Sequence, residues 1–326
     1  MRKTGALLLI FYLFVLAGVS AAGEGSEEFP AFTSQALKLE GYTQVRYTHW
    51  EKNPDGFRIR RARVGLSGEI LRNINYSLQV ETAKSPYLLD ARIGINFSPQ
   101  TELIFGQFKV PFSLENLTPT SALDTINRSQ TVEKLCPSRD IGSAGRDMGA
   151  TLNGKYSWIE YALGIFNGSG INKTDDNDQK DIAVRLVVYP VSSLALGLSY
   201  YDGKYNFYSG TSPEIRDRTG VDMIFAQGPL SVKGEYIFAR DGQTDRYGWY
   251  VQGGYYLMPE KIQTIVKYDS YDRNRDIQGD RIDVVTLGLN WFFSKKTKLQ
   301  INYEYHGEES KTDTEGVLLV QFQAGF

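Results

Sequence analysis

The sequence predicts an all-β fold, a transmembrane antiparallel β-barrel of about 16 strands of the kind found in Gram-negative-type outer membranes. Three observations lead to this fold class. A secretory leader opens the chain, segments of alternating apolar and polar residues follow one another almost to the end, and the last segment finishes on an aromatic residue, Phe326.

The first residues resemble a signal peptide. Arg2 and Lys3 give a basic start, residues 6–19 are apolar, and Ala21 and Ala22 supply a small-residue cleavage site. The apolar run is too short and wrongly flanked for a permanent membrane helix. We therefore expect three parts: residues 1–22 as signal peptide, 23–37 as a flexible mature N-terminus, and 38–326 as an integral barrel of the outer membrane.

Alternation with a period of two residues marks the strands. In the first strand, Leu39, Val45 and Tyr47 fall on one face, while Gln44 and Arg46 fall on the other. The apolar set would face lipid and the polar set a water-filled lumen. After the leader, no apolar run is long enough for a spanning helix, so only a barrel could place this composition in a membrane.

The connections between the strands alternate in length. Seven short links and eight longer ones imply sixteen strands with both termini in the periplasm, because such barrels have tight periplasmic turns and longer outer loops. The third long link, Leu114–Gly145, far exceeds the others. Long loops without strands are commonly functional, and we expect this one to fold into the lumen.

Basic residues are concentrated in the second strand. Its alternation directs Arg61 and Arg63 into the lumen, where a guanidinium is far less costly than at the lipid midplane. Arg58 and Arg60 have the opposite parity, which places them on the lipid-facing side near the outer mouth, within reach of water or headgroups.

The fifth strand is read in the same way. Ile104, Gly106, Phe108 and Val110 form its apolar set and are expected to face lipid. Gln107 and Lys109 would then face the pore.

Two stretches of the chain resemble the phosphate-selective porin O and P family. They are Phe57–Gly68, FRIRRARVGLSG, and Phe105–Glu115, FGQFKVPFSLE; a looser similarity continues through Pro137–Gly142, PSRDIG, to Phe326. The resemblance implies a sixteen-stranded trimeric channel whose third loop narrows the pore and whose lumenal cations favour anions.

The resulting hypothesis is an outer-membrane porin, a passive diffusion channel for small hydrophilic solutes with a preference for anions such as phosphate. Arginine offers a planar fork that suits phosphate oxygens. The candidate pore-lining or anion-binding residues are Arg46, Arg61, Arg63, Arg92, Lys109, Arg128, Arg139 and Arg146. Arg216 and Arg218, beside an outer loop, are expected to influence the pore less.

Two alternatives stay open. The chain carries 36 Lys and Arg against 38 Asp and Glu, and acidic residues also lie in the third loop, so the local charges there can cancel. A general non-selective porin is one alternative, and a barrel with an envelope-structural or adhesin role is the other.

Catalysis is not expected from this sequence. His49 and His306 are the two histidines and Cys136 is the one cysteine, with no zinc-ligand spacing or nucleotide fingerprint. No cofactor, metal or nucleic acid is expected. The expected partners are small anions, outer-membrane lipid, two further copies of the chain in a homotrimer, and the barrel-assembly machinery, which would recognise Phe326.

Overall fold

A computed structural model describes residues 37–85, 87–175, 177–206, 214–310 and 314–326. The predicted signal peptide, residues 1–22, and nearly all of the predicted flexible N-terminus, residues 23–37, lie outside these residues.

The described residues form one antiparallel sheet of seventeen strands. The strands are β1 (Leu37–Trp50), β2 (Gly56–Leu71), β3 (Ile74–Glu81), β4 (Leu88–Ser98), β5 (Thr101–Lys109), β6 (Arg146–Lys155), β7 (Ile159–Phe166), β8 (Asp181–Val191), β9 (Leu194–Asp202), β10 (Lys204–Tyr205), β11 (Glu214–Gln227), β12 (Leu230–Asp241), β13 (Thr244–Met258), β14 (Ile262–Asp272), β15 (Ile282–Phe292), β16 (Lys298–Glu308) and β17 (Glu315–Gly325).

Sixteen of these strands close into a barrel. β1 pairs with β2 on one side and with β17 on the other, and β9 pairs directly with β11. The two-residue β10 only extends the edge of β11. The predicted fold class and the strand number are confirmed. Within the described part of the chain, no helix is long and apolar enough to span a membrane.

The alternation along the strands separates an outer face from an inner face. Val266 pairs with Leu287, and these side chains are 56% and 53% exposed, whereas the next pair, Lys267 and Thr286, is 3% and 1% exposed. Because cross-strand partners share a face, the apolar pair lies outside the barrel and the polar pair inside it.

A β-bulge in β2 changes the expected parity of its arginines. Gln44 of β1 pairs with Arg61, but the next residue of β1, Val45, pairs with Ile59, so Arg60 is the extra residue of the bulge. The shift places Arg58 opposite Arg46, on the inner side. The prediction of a lipid-facing parity for Arg58 is therefore wrong, because a strict period of two does not include a bulge.

Two apolar residues of β5 lie inside the barrel, so the prediction that they face lipid is wrong. Ile104 and Phe108 are only 5% and 6% exposed and belong to a buried apolar cluster, while Phe105 is exposed beside its outward-facing partner Ile93. Ile104 and Phe108 do not face lipid, because the loop that follows packs against them inside the barrel. Gln107 donates to the carbonyls of Leu88 and Leu89 and does not face the pore.

The third loop, residues 110–145, connects β5 to β6 and contains two short helices, α1 (Leu114–Leu117) and α2 (Gln130–Leu135). Ser113 caps α1 through the backbone N–H of Asn116, and Ser129 caps α2 through that of Val132. Apolar residues of the loop, among them Phe112, Val132 and Leu135, pack with inward residues of β5, β8, β12 and β13. The apolar core of the molecule therefore lies inside the barrel, between loop and wall.

Candidate pore and its charges

The third loop crosses the interior of the barrel. Although it connects β5 to β6, the backbone N–H of Leu114 donates to Glu235 of β12, 3.0 Å away, and that of Ile126 donates to Asn302 of β16, 2.7 Å away. Thr131 donates to Asp269 of β14 at 2.9 Å. A segment that reaches these distant strands has to pass through the lumen, as predicted for Leu114–Gly145.

A cavity of about 680 Å³ remains between the third loop and the wall formed by β1–β8. Its lining includes six basic side chains and three acidic ones. The basic residues are Arg63, Arg92, Lys109, Arg146, Lys155 and Arg185, and the acidic residues are Asp90, Glu102 and Glu160. The cavity therefore holds four of the eight candidate residues: Arg63, Arg92, Lys109 and Arg146.

Four of the six cations in the cavity form ion pairs. Arg63 lies 3.0 Å from Glu81, Arg146 lies 2.8 Å from Asp90, and Arg185 lies 2.6 Å from Asp222. Lys155 contacts Glu160. A paired cation attracts a passing anion less strongly, because the field of the neighbouring carboxylate opposes its own.

Two cations of the cavity have no carboxylate partner. Arg92 makes no hydrogen bond or ion pair with any described residue, although it is half-buried in β4. Lys109 donates to three backbone carbonyls of the third loop, those of Asn116, Leu117 and Thr118, at 2.6–3.1 Å. Lys109 and Arg92 are therefore the two cations of the cavity that form no ion pair with a described carboxylate.

The other four candidates are not in the lining of this cavity. Arg46 donates to Asn127 of the third loop at 2.8 Å, and Arg61 donates to Gln44 at 2.9 Å. Arg128 donates to the carbonyls of Glu115 and Thr118, and Arg139 donates to Asn116 and Glu133. Three of these four guanidiniums thus hold the third loop.

Arg128 and Glu133 of the third loop stay ionised at neutral pH. Burial and, after it, the nearby Arg139 lower the pKa of Arg128 to about 10, so Arg128 is still a cation at pH 7. Burial disfavours the charge on Glu133, yet Arg139 and Arg128 outweigh it and hold the pKa of this carboxyl below its ordinary value. Glu133 therefore offsets part of the positive charge around it.

Arg216 and Arg218 have a larger structural role than the sequence suggested. Both are essentially unexposed, and both pair with Asp140 near the end of the third loop, at 2.5 and 2.7 Å. Arg218 also donates to the carbonyl of Leu135 at 2.8 Å. Their alternation with Thr219 and Val221 was the signal that could have placed them inside.

Two carboxylates of the wall hold the starts of the loop helices, and sequence reasoning missed both. Glu235 accepts the backbone N–H groups of Leu114 and Glu115 and the hydroxyl of Tyr250. Asp269 accepts the backbone N–H of Gln130 at the start of α2. Carboxylates are favourable there, because the first N–H groups of a helix have no partner within it.

The cysteine and the histidines lie apart from the cavity lining. Cys136 is fully buried beside Phe112, and this burial raises the pKa of its thiol. His49 lies on the outer face, 2.7 Å from Asp55, and His306 lies 3.3 Å from Glu304.

The family assignment rests on nearly the whole barrel. The model of the phosphate-selective porin O and P family matches residues 41–212 and 202–324. The chain belongs to this family. The chain is therefore an outer-membrane porin. No curated protein matches the sequence.

Solved structures share the fold of this porin at low sequence identity. An anion-selective porin from Comamonas acidovorans superposes with a TM-score of 0.70 at 14% identity, over 89% of this chain and 99% of that one. The outer-membrane channel DcaP of Acinetobacter baumannii gives 0.66 at 12%, over 92% and 100%. The trimer form of OmpT from Vibrio cholerae gives 0.63 at 10%, over 89% and 99%.

Proposed function

We propose that this porin is a passive diffusion channel for small hydrophilic solutes that favours anions, with phosphate among them. Solutes pass through the cavity between the third loop and β1–β8. The observation that carries this proposal is the pair of uncompensated cations, Arg92 and Lys109, against one carboxylate of the cavity without a cationic partner, Glu102. Charged side chains that line a pore can select ions when they bind each ion weakly enough to release it.

Family membership and the anion-selective porin of the same fold support this proposal. We assign transport and no catalysis to the chain. The eight basic residues identified from the sequence divide into two proposed roles: Arg63, Arg92, Lys109 and Arg146 contact the solute, whereas Arg46, Arg61, Arg128 and Arg139 set the potential around the third loop.

A planar-bilayer recording tests the anion preference. The reversal potential is measured for wild-type protein in a chloride gradient at low salt and then in a phosphate gradient. We expect a potential of the sign that anion permeation produces, larger at low ionic strength because salt screens the fixed charges. A reversal potential of cation-selective sign would contradict the proposal.

A general non-selective porin is the second candidate. The observation in its favour is that four of six cavity cations are neutralised by carboxylates, in a chain with a formal net charge of −2. A reversal potential near zero at low salt, with open channels, would favour it.

We also infer a homotrimer inserted in outer-membrane lipid, with Phe326 as the residue that the assembly machinery recognises. The solved trimer form of the Vibrio protein supports the trimer. The exposed apolar residues of the outer face, such as Val266 and Leu287, fit a lipid environment.

A further inference from the structure

Six buried amide side chains lie next to one another on the inner wall of the barrel, on strands that begin at the edge of the cavity and continue away from it. We name them the amide belt: Gln44, Gln263, Asn290, Gln300, Gln321 and Gln323. They come from five adjacent strands, β14 to β17 and β1, and none is more than 3% exposed. Neither the family assignment nor the charged pore explains why so many neutral polar groups are buried together.

The amides are bonded to one another. Gln321 donates to Gln300 at 3.3 Å, Gln300 donates to Asn290 at 3.0 Å, and Asn290 donates to Gln263 at 3.0 Å. Gln44 donates to Gln323 at 2.7 Å. Each amide can donate and accept at once, so a row of amides meets most of its own hydrogen-bonding needs without burying a charge.

The amides also hold the tip of the third loop, which we define as residues 121–127. Three consecutive strands donate to its backbone carbonyls: Gln323 donates to Ser121, Gln300 to Leu123 and Asp124, and Asn290 to Asp124, at 2.8–3.3 Å. Backbone carbonyls of a buried loop need such partners.

A charged contact completes this attachment. The carboxylate of Asp124 lies 2.6 Å from the ammonium of Lys233 and accepts a hydrogen bond from Gln252 at 2.9 Å. These two wall residues come from β12 and β13, directly beside the belt. The tip is therefore bonded to β12, β13 and β15–β17, strands that do not line the cavity.

We propose that the amide belt holds the loop tip, and that it sets the width of the channel by keeping the tip away from the wall formed by β2–β8 and by keeping the far side of the lumen closed. The belt residues are thus positioning residues for permeation. The inference rests on the channel function and not on the anion preference, so the test uses a neutral solute.

The first test replaces the donors of the belt. The double variant Gln300→Met, Asn290→Leu keeps similar side-chain volumes but removes the amide donors to Leu123 and Asp124, leaving Lys298 as the donor to the carbonyl of Leu123. We expect a several-fold faster uptake of a neutral trisaccharide into proteoliposomes and a higher single-channel conductance, with an unchanged heat-modifiable barrel. Gln107→Met is the matched control, because this buried amide donates to Leu88, Leu89 and Asn172 and not to the loop tip, and we expect no faster uptake.

A charge exchange gives a readout that a purely structural role would not produce. Lys233→Asp alone and Asp124→Lys alone should each speed trisaccharide uptake, because like charges then face each other across 2.6 Å. The double exchange restores the pair, and the amide of Gln252 can turn to accept from the new lysine because its oxygen has no partner among the described residues. We expect uptake to return to the wild-type rate.

Two outcomes with a folded barrel would overturn the proposal, and a third applies if the belt variant does not fold. One is wild-type trisaccharide uptake and conductance in the folded belt variant; the other is a double exchange no slower than the single variants. If the belt variant forms no barrel, Asp124→Ala decides, because this residue belongs to the loop and not to the wall. Unchanged uptake in that variant would also overturn the proposal. A reversal potential near zero would affect only the anion preference.

Discussion

Among the arginines of the cavity, Arg92 is the one whose charge is not opposed by a neighbouring carboxylate, because no described residue pairs with it. Each of the other arginines of the cavity has a carboxylate oxygen 2.6–3.0 Å from its guanidinium. We therefore expect a permeating anion to be attracted more strongly to Arg92 than to the ion pairs of Arg63 or Arg146. Counting arginines overstates the positive potential of this lumen.

The residue-scale prediction compares Arg92→Gln with the double variant Arg63→Gln, Glu81→Gln. At an effective dielectric near 20, a unit charge 4 Å from an anion is worth about 4 kcal/mol before desolvation is subtracted. We expect Arg92→Gln to lower the anion-to-cation permeability ratio several-fold. The double variant should lower it less, because removing both partners of an ion pair leaves the net charge of the lumen unchanged. Reversal potentials at low salt measure both ratios.

High salt supplies the control for this comparison. The difference between Arg92→Gln and wild type should shrink as ionic strength rises, because the Debye length falls to about 3 Å at 1 M. An identical reversal potential in Arg92→Gln and wild type at low salt, with channels still open, would remove Arg92 from the selectivity path.

The third loop is attached to the inner wall of the barrel at its tip and at its end. Different chemical groups hold its two parts. Amides and one ion pair hold the tip, while Asp140, paired with Arg216 and Arg218, holds the end. Breaking a buried ion pair by removing one partner costs about 3–5 kcal/mol, which makes Asp140 the most sensitive single attachment of the loop.

Asp140→Asn tests that attachment. The substitution leaves Arg216 with only the carboxylate of Asp181, 4.0 Å away, so we expect a looser loop end, greater open-channel current noise and closure at lower voltage. Asp245→Asn is the control, because the pair between Asp245 and Arg240 is on the surface and contributes little. Equal noise in the two variants would show that Asp140 does not hold the loop.

The pH dependence of this attachment has a definite sign. Burial disfavours the charge on Asp140, but Arg216 and Arg218 outweigh it and hold its pKa below the ordinary value of 3.8. A lowered pKa stabilises the folded loop above pH 3.8, and that contribution is lost as pH falls through the folded value. We expect the Asp140 attachment to survive acidification to pH 5, so the noise difference between wild type and Asp140→Asn should persist there.

The seam between β1 and β17 has its own requirement. A Cβ on Gly41 would lie 2.6 Å from the ring of Phe326, so this ring can pack over the strand only because position 41 is a glycine. Overpacking typically costs about 1–3 kcal/mol, and we expect Gly41→Val to lower the temperature at which the heat-modifiable barrel unfolds. Gly253→Val is the control, because a Cβ there meets nothing within 4 Å.

At the scale of the whole molecule, assembly and permeation are separable. We expect the mature chain to form a trimer in mild detergent, measured by light scattering with the detergent contribution subtracted. Three conductance steps of equal size in a bilayer would agree with three channels per particle. A monomeric mass in several detergents would contradict the trimer without affecting the channel of a single barrel.

Local patterns in the sequence were enough to predict the barrel, its sixteen strands and the family. Each of these follows from local signals: alternation along single strands, turn residues, and motifs such as Phe57–Gly68. It also identified a third loop of unusual length.

Two features could be seen only in the folded chain: the inward position of Ile104 and Phe108 on β5, and the identity of the cations that form no ion pair. Ile104 and Phe108 face inward because a loop packs on them, and alternation cannot distinguish a lipid face from a packed interior. Arg58 lies on the inner side of the barrel because of a β-bulge, and the sequence of β2 carries no pattern that predicts this bulge. Arg92 and Arg146 are chemically identical, and they differ only because Asp90, far away in sequence from Arg146, lies 2.8 Å from its guanidinium. Such contacts arise between distant parts of the chain, so no local pattern records them.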